Sequence, residues 1–124
     1  MSVPVIHGTN PPQKEVEASH DVESFLESST SQSAQVSTSA LGVDFSKFDG
    51  VVVVGGQYAN PIYQQLVTDG DVPPIQQGDT HLDTFMKDGT PVFVIAGWEA
   101  HQTLNLVDKS IRDGEMNKFL DMLP

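Results

Sequence analysis

Two glycine-rich turns carry the residues whose types and spacing could support ligand chemistry. Gly55 and Gly56 follow four consecutive valines, and Gly97 and Trp98 follow the run VFVIA. Glycine lets a backbone approach a phosphate closely, and parallel sheets bind ligands at the carboxyl ends of their strands. Neither turn reads GxGxxG or GxxxxGK[ST], and no lysine or arginine follows to complement phosphate. A tight strand-to-helix turn and a ligand cradle are therefore both open interpretations.

His7 and Gly8 follow the apolar run 3–6 and are expected at the same edge. A histidine there is the best single candidate for a general base. No serine-elbow motif or pair of carboxylates lies near it in sequence, so a catalytic triad would have one member. We therefore expect no catalytic residues. The alternative is a small-ligand or nucleotide-binding Rossmann-like domain with its site at the Gly-rich strand ends. That site would use His7, Gly8, Gly55, Gly56, Asn60, Gly97 and Trp98.

A short segment places Asp79, His81 and Asp83 within five residues. Zinc takes nitrogen and sulfur ligands at helix or knuckle spacing, while calcium takes several converging oxygens. Neither a zinc pattern nor an EF-hand is present, so a solvated loop explains the segment without an ion. We expect no cofactor, with calcium or another cation at these three residues as the alternative.

The charge balance excludes several classes of partner. In 124 residues there are 17 Asp and Glu against 6 Lys and Arg, a formal net charge of -11. Bases this sparse cannot neutralise a run of phosphates, so we expect no nucleic-acid binding, and anionic membranes would repel the chain. Solubility at high salt, divalent-cation binding and a merely solvated acidic face stay open. The absence of cysteine excludes disulfides and thiolate chemistry.

The elements that must position these residues follow from hydrophobic periodicity. Amphipathic helix 13–28 is expected to bury Val16, Ala18, Val22, Phe25 and Leu26, with its glutamates mostly outside that stripe. Asn60 is expected to be the N-cap of a helix with Pro61 in its first position, and Gly70 is expected to end that helix. The predicted strands are 3–6, 50–56 and 90–97, and the other predicted helices are 98–113 and 115–123.

The remaining segments are less regular. The Ser/Thr-rich tract 28–42 predicts a polar loop or an edge strand, and 44–49 a surface or short helical turn. Residues 72–75 are expected to be an irregular or edge segment, and the stretch 78–89 to form one short helical turn between two glycine breaks. The order predicts one domain over 1–124, an α/β fold: a small three-layer Rossmann-like or flavodoxin-like domain with a mostly parallel sheet of four to five strands.

The segments VVVVGGQYANP and VFVIAGWEAHQT, with the opening VIHGTNPPQKEVEASHDV, resemble the α/β domain of archaeal S-layer proteins of the methanogen and Thermococcales type. The resemblance implies a non-catalytic, cell-surface module that associates with itself or with other surface proteins, without inserting into the membrane. No signal peptide is visible in the chain. On this resemblance six residues would determine the fold instead of forming a site: Gly55, Gly56, Asn60, Pro61, Gly97 and Thr103.

Overall fold

The computed structural model describes residues 2–8, 12–29, 33–38, 44–58 and 60–123. Over these ranges the protein is a mixed α/β fold. Its strands are β1 Ser2–His7, β2 Ser33–Thr38, β3 Val51–Val54, β4 Thr80–Lys87 and β5 Thr90–Gly97. Its helices are α1 Gln13–Ser29, α2 Pro61–Thr68, α3 Ala100–Arg112 and α4 Glu115–Met122, with a 3-10 helix at Phe45–Lys47.

The five strands form one sheet in the order β2-β1-β3-β5-β4. β1 pairs in parallel with β2 and β3, and β3 pairs in parallel with β5. The prediction of a mostly parallel sheet is therefore confirmed. β4 is the exception, because it lies antiparallel to β5 at one edge.

The segment before Gly89 was predicted as a helical turn, and that prediction is wrong. It forms β4, whose Thr80 lies opposite Gly97 and whose Lys87 lies opposite Thr90. Asp88 and Gly89 connect β4 to β5 with positive φ angles of 52° and 81°. An Asp-Gly pair with both residues in this region is typical of a two-residue type I′ hairpin turn, which fixes the antiparallel pairing.

Helices cover both faces of the sheet. Alternate valines of β3 point to opposite sides, since successive strand residues do so. Val52 and Val54 pack in a core with α1, α3 and α4, while Val51 and Val53 pack in a second core with α2. These two cores give three layers. None of the described helices is long and apolar enough to cross a bilayer.

Local signals in the sequence set several element boundaries. Asn60 caps α2 and Pro61 begins it, as predicted, and Gly114 separates α3 from α4 with a φ of 78°. Residues 72–75 are irregular, as expected. In the Ser/Thr-rich tract, 33–38 is the edge strand β2, while 30–32 and 39–42 lie outside the described residues.

Candidate functional site

A small cleft opens where β3 and β5 end. Its volume is about 40 Å³. Ligand pockets for drug-sized molecules are roughly 300–1,000 Å³. The cleft is therefore too small for a drug-sized ligand and suits only a small group. It is lined by Glu15, Gly56, Gln57, Tyr58, Ile75, Gly97 and Trp98.

Glu15 supplies the only carboxylate among the described residues that line the cleft. It lies in the first turn of α1 and is 4% exposed. Its Oε2 atom is buried and accepts no hydrogen bond in the described part of the chain. Burial disfavours the charged form and raises the pKa of Glu15 from 4.5 to about 7. The carboxyl group thus changes charge near neutral pH.

The expectation that the glutamates of α1 lie mostly outside its buried stripe is wrong for Glu15. Residues three and seven positions later, Ala18 and Val22, are fully buried on the same helix face. Val16, which was assigned to the stripe, is only half-buried. Helix geometry therefore directs Glu15 toward the sheet, on the same face as the apolar side chains of Ala18 and Val22.

Gly55 lies directly against this carboxylate. Its φ is 98°, a backbone conformation that L side chains rarely adopt. A Cβ built on Gly55 would lie 2.6 Å from Oε2 of Glu15. The space that the glycine leaves is thus occupied by a side chain of the protein itself.

The other two glycines of the edge also make room for the protein's own atoms. A Cβ on Gly97 would lie 2.6 Å from Cβ of Gln102, and one on Gly56 would lie 3.3 Å from Cγ1 of Ile75. The Gly97 N–H donates to Oγ1 of Thr103 at 2.9 Å, which ties the end of β5 to α3. Close packing between elements is therefore a sufficient reason for both glycines.

The Asn60 side chain is fully buried, and both its amide nitrogen and its oxygen make hydrogen bonds. Its Nδ2 donates to the carbonyl oxygens of Ile6 at 2.9 Å and Val54 at 2.8 Å. Its Oδ1 accepts from the Ile62 N–H at 2.9 Å. One side chain thereby joins the ends of β1 and β3 to the start of α2, with neither amide proton left for a ligand.

The rim of the cleft is aromatic. The rings of Tyr58 and Trp98 meet edge to face, with centroids 5.2 Å apart. Tyr58 is 80% exposed and Trp98 is 38% exposed. Behind them Gln57 holds Ile75 by two hydrogen bonds, donating to its carbonyl at 2.8 Å and accepting from its N–H at 2.9 Å. The rim therefore rests on an anchored backbone.

The structure brings together only part of the predicted ligand set. Gly56, Gly97 and Trp98 line the cleft. His7 and Gly8 are buried at the end of β1 and do not line it; Nδ1 of His7 donates to the Gly8 carbonyl at 2.8 Å. The histidine proposed as a general base therefore has no carboxylate partner among the described hydrogen bonds.

The three candidate metal ligands lie around β4. His81 and Asp83 lie on the same face of that strand, with Nε2 and Oδ2 3.8 Å apart, too long for a hydrogen bond. Asp79 precedes the strand, and its carbonyl accepts from the Trp98 N–H at 3.0 Å. Over the described ranges, no three His, Asp or Glu side chains converge to hold an ion.

Sequence reasoning missed Glu15, Gln57 and Tyr58. An acid three residues before a buried alanine on a helical stripe was a detectable signal for Glu15. The aromatic rim combines residues 40 positions apart, which no local pattern reveals. Chemically, the arrangement offers one buried carboxylate beneath two aromatic rings. The chain matches no model of a known protein family and no curated protein sequence.

Proposed function

We propose that this chain is a non-catalytic structural module that associates with itself or with other surface proteins, like the archaeal surface-layer domains that it resembles. We also propose a flavodoxin-like fold. The four parallel strands, counted along the chain, lie in the order 2-1-3-4, which matches the first four strands of the 2-1-3-4-5 order of that fold type. The antiparallel β4 extends this arrangement at its edge.

One observation carries the structural proposal: the Asn60 side chain fills the crevice between β1 and β3. Doubly wound folds bind their ligands at this point, where the strand order reverses. Here the amide of Asn60 donates to carbonyls near the ends of both strands, those of Ile6 and Val54. Gly55, Gly56 and Gly97 are likewise backed by the protein's own atoms. A nucleotide would have to displace these contacts.

Two exposed apolar features supply surface for association. Tyr58 and Trp98 form one, and Met86, which is 53% exposed on β4, forms the other. β4 is an edge strand, and an edge presents unpaired backbone groups that can pair with another chain. Copies with a charge of -11 repel one another until salt screens them.

Light scattering with electron microscopy over a sodium chloride and calcium series tests this function. We expect assemblies that grow as salt or calcium increases. Met86→Lys should prevent them if β4 is the contact, and Gln77→Lys, an equal charge change at an exposed turn, should not. A monodisperse monomer under every condition would contradict the proposal.

A second candidate function, small-ligand binding at the same edge, is favoured by the buried, unpartnered carboxylate of Glu15. The cleft volume of about 40 Å³ restricts this function to very small groups. This candidate is independent of self-association, since it concerns one copy of the chain.

A further inference from the structure

We propose that the cleft above Glu15 binds a primary ammonium group, either on a small amine or on a lysine side chain. The inference rests on the second candidate function and names its ligand class. It uses four features of the cleft: the carboxylate, the aromatic rim, the polar backbone and the size.

The carboxylate gives the charge preference. A buried ionised carboxylate without a partner is costly, and a cation that pairs with it relieves that cost. No lysine, arginine or histidine is among the described residues that line the cleft, so no internal cation takes this role. An anionic ligand would meet Glu15 and a chain of net charge -11. A cation is therefore the complementary ligand.

The rim favours an organic cation. Ammonium groups are attracted to the faces of Trp and Tyr rings. Trp98 and Tyr58 leave ring surface open to solvent beside the cleft. The Gly97 carbonyl oxygen faces Gly56, 3.7 Å from where a Cβ of that residue would lie, and can accept an N–H. An ammonium group can thus meet a carboxylate, a carbonyl and an aromatic ring together.

The small size of the cleft distinguishes between kinds of cation. A quaternary ammonium has no N–H donor, and in a cleft of about 40 Å³ its methyl groups would hold its charge farther from the buried carboxylate than an R–NH₃⁺ head does. Potassium matches the head in size, yet it cannot donate hydrogen bonds to the carboxylate. The cleft should therefore discriminate in favour of primary amines.

Trp98 is the only tryptophan of the chain, so its fluorescence reports directly on the cleft. We would titrate the whole chain at pH 8 with methylammonium chloride, holding ionic strength constant with sodium chloride. We expect a saturable change in emission. Potassium and tetramethylammonium chlorides should give none. An equal response to either of them would overturn the proposal.

Glu15→Gln keeps the shape of the side chain and removes its charge. We expect the methylammonium response to be lost in this variant and kept in Glu17→Gln, which changes an exposed acid on the same helix. Circular dichroism checks that both variants fold. A third variant, Tyr58→Ala, changes an exposed position of the rim, and it should weaken methylammonium binding without affecting the core. Unchanged binding in Glu15→Gln would refute the assignment.

A pH comparison adds a second reading. Near pH 5 Glu15 holds its proton, so methylammonium should bind weaker by roughly tenfold or more than at pH 8. Other titratable groups near this edge are His7, Lys14, Tyr58, Glu99 and Asp79, whose carbonyl accepts from the Trp98 N–H. Because Glu15→Gln leaves these five groups unchanged, the pH effect should disappear in that variant; a persisting effect would count against the proposal.

Two further titrations separate the possible outcomes. If the natural ammonium group belongs to a lysine of a partner, N-acetyl-lysine amide should bind at least as tightly as methylammonium. If it belongs to a free small amine, N-acetyl-lysine amide should bind more weakly. Acetamide is neutral and similarly small. If acetamide saturates the signal while methylammonium does not, the ammonium assignment fails but small-ligand binding stands. If neither compound saturates the signal, the ammonium assignment and the small-ligand function both fail.

Discussion

Oε2 of Glu15 lies only 2.6 Å from where a Cβ of residue 55 would be, so the acid at 15 packs into the space that the glycine at 55 leaves open. The two residues are 40 positions apart in the chain. Their contact joins the first turn of α1 to the end of β3, and it leaves a carboxyl oxygen buried without a hydrogen-bond partner among the described residues.

Gly55→Ala should be strongly destabilising. The alanine would meet both a φ of 98° and Oε2 of Glu15 at 2.6 Å, and we expect a loss of roughly 2–4 kcal/mol in the free energy of unfolding. Urea denaturation measures it. Gly78→Ala is the matched control, with a φ of 84° and no atom within 4 Å, and should cost only about 1 kcal/mol. Equal losses would mean that Glu15 does not crowd residue 55.

Stability should fall as the pH rises from 4.5 to 7. Over this interval folded Glu15 keeps its proton while unfolded Glu15 loses it, so proton release favours unfolding. Above pH 7 both states are ionised and the difference is constant. Glu15→Gln should remove the part of this slope that Glu15 causes and stabilise the protein at pH 8 by roughly 1–3 kcal/mol. Denaturation midpoints across pH test this, and Glu17→Gln should retain the slope.

Asn60→Ala should be among the most damaging single changes. It removes the cap of α2 and leaves the carbonyls of Ile6 and Val54 without their partner, a loss of roughly 3–5 kcal/mol. Asn60→Ser keeps a capping oxygen but cannot reach both carbonyls, so it should recover only about 1 kcal/mol. Asn105→Ala, at an exposed helix position, should change stability by less than about 0.5 kcal/mol. If Asn60→Ala and Asn105→Ala lowered the free energy of unfolding by similar amounts, Asn60 would not have the role of joining β1, β3 and α2.

The hairpin turn should tolerate Asp88→Asn and resist Asp88→Val. Asparagine is favoured in type I′ turns, whereas a β-branched residue is strained at a φ of 52° and should cost roughly 1–2 kcal/mol. Hydrogen exchange of the β4 and β5 amides localises the effect. If protection falls evenly over the whole sheet, the turn does not act on β4 pairing alone.

The sequence predicted those elements whose signals are local. Four valines between glycines indicated β3, and Asn-Pro indicated the start of α2, because capping and fixed φ act within one turn. β4 was missed since its residues are only partly buried and show no regular alternation. The Asp-Gly pair at 88–89 was the available signal, and it was interpreted only as a helix break.

The candidate site was only partly predictable. Strand ends located Gly56, Gly97 and Trp98 at one edge, because the carboxyl ends of parallel strands meet there. Whether a glycine faces a ligand or another side chain depends on contacts between distant residues, such as Gly97 with Gln102. The role of Asn60 in closing the crevice between β1 and β3 depends on Ile6, 54 residues away.

The central position of β3 has a consequence for how the chain is made. β1 with β2, and β4 with β5, each join segments that neighbour one another along the chain, while β3 alone links the two pairs. Val51–Val54 is synthesised before β5, so one apolar edge of β3 lacks its partner until β5 has been made, and such edges promote aggregation. During synthesis, the window of greatest aggregation risk should therefore close only when β3 pairs on both sides.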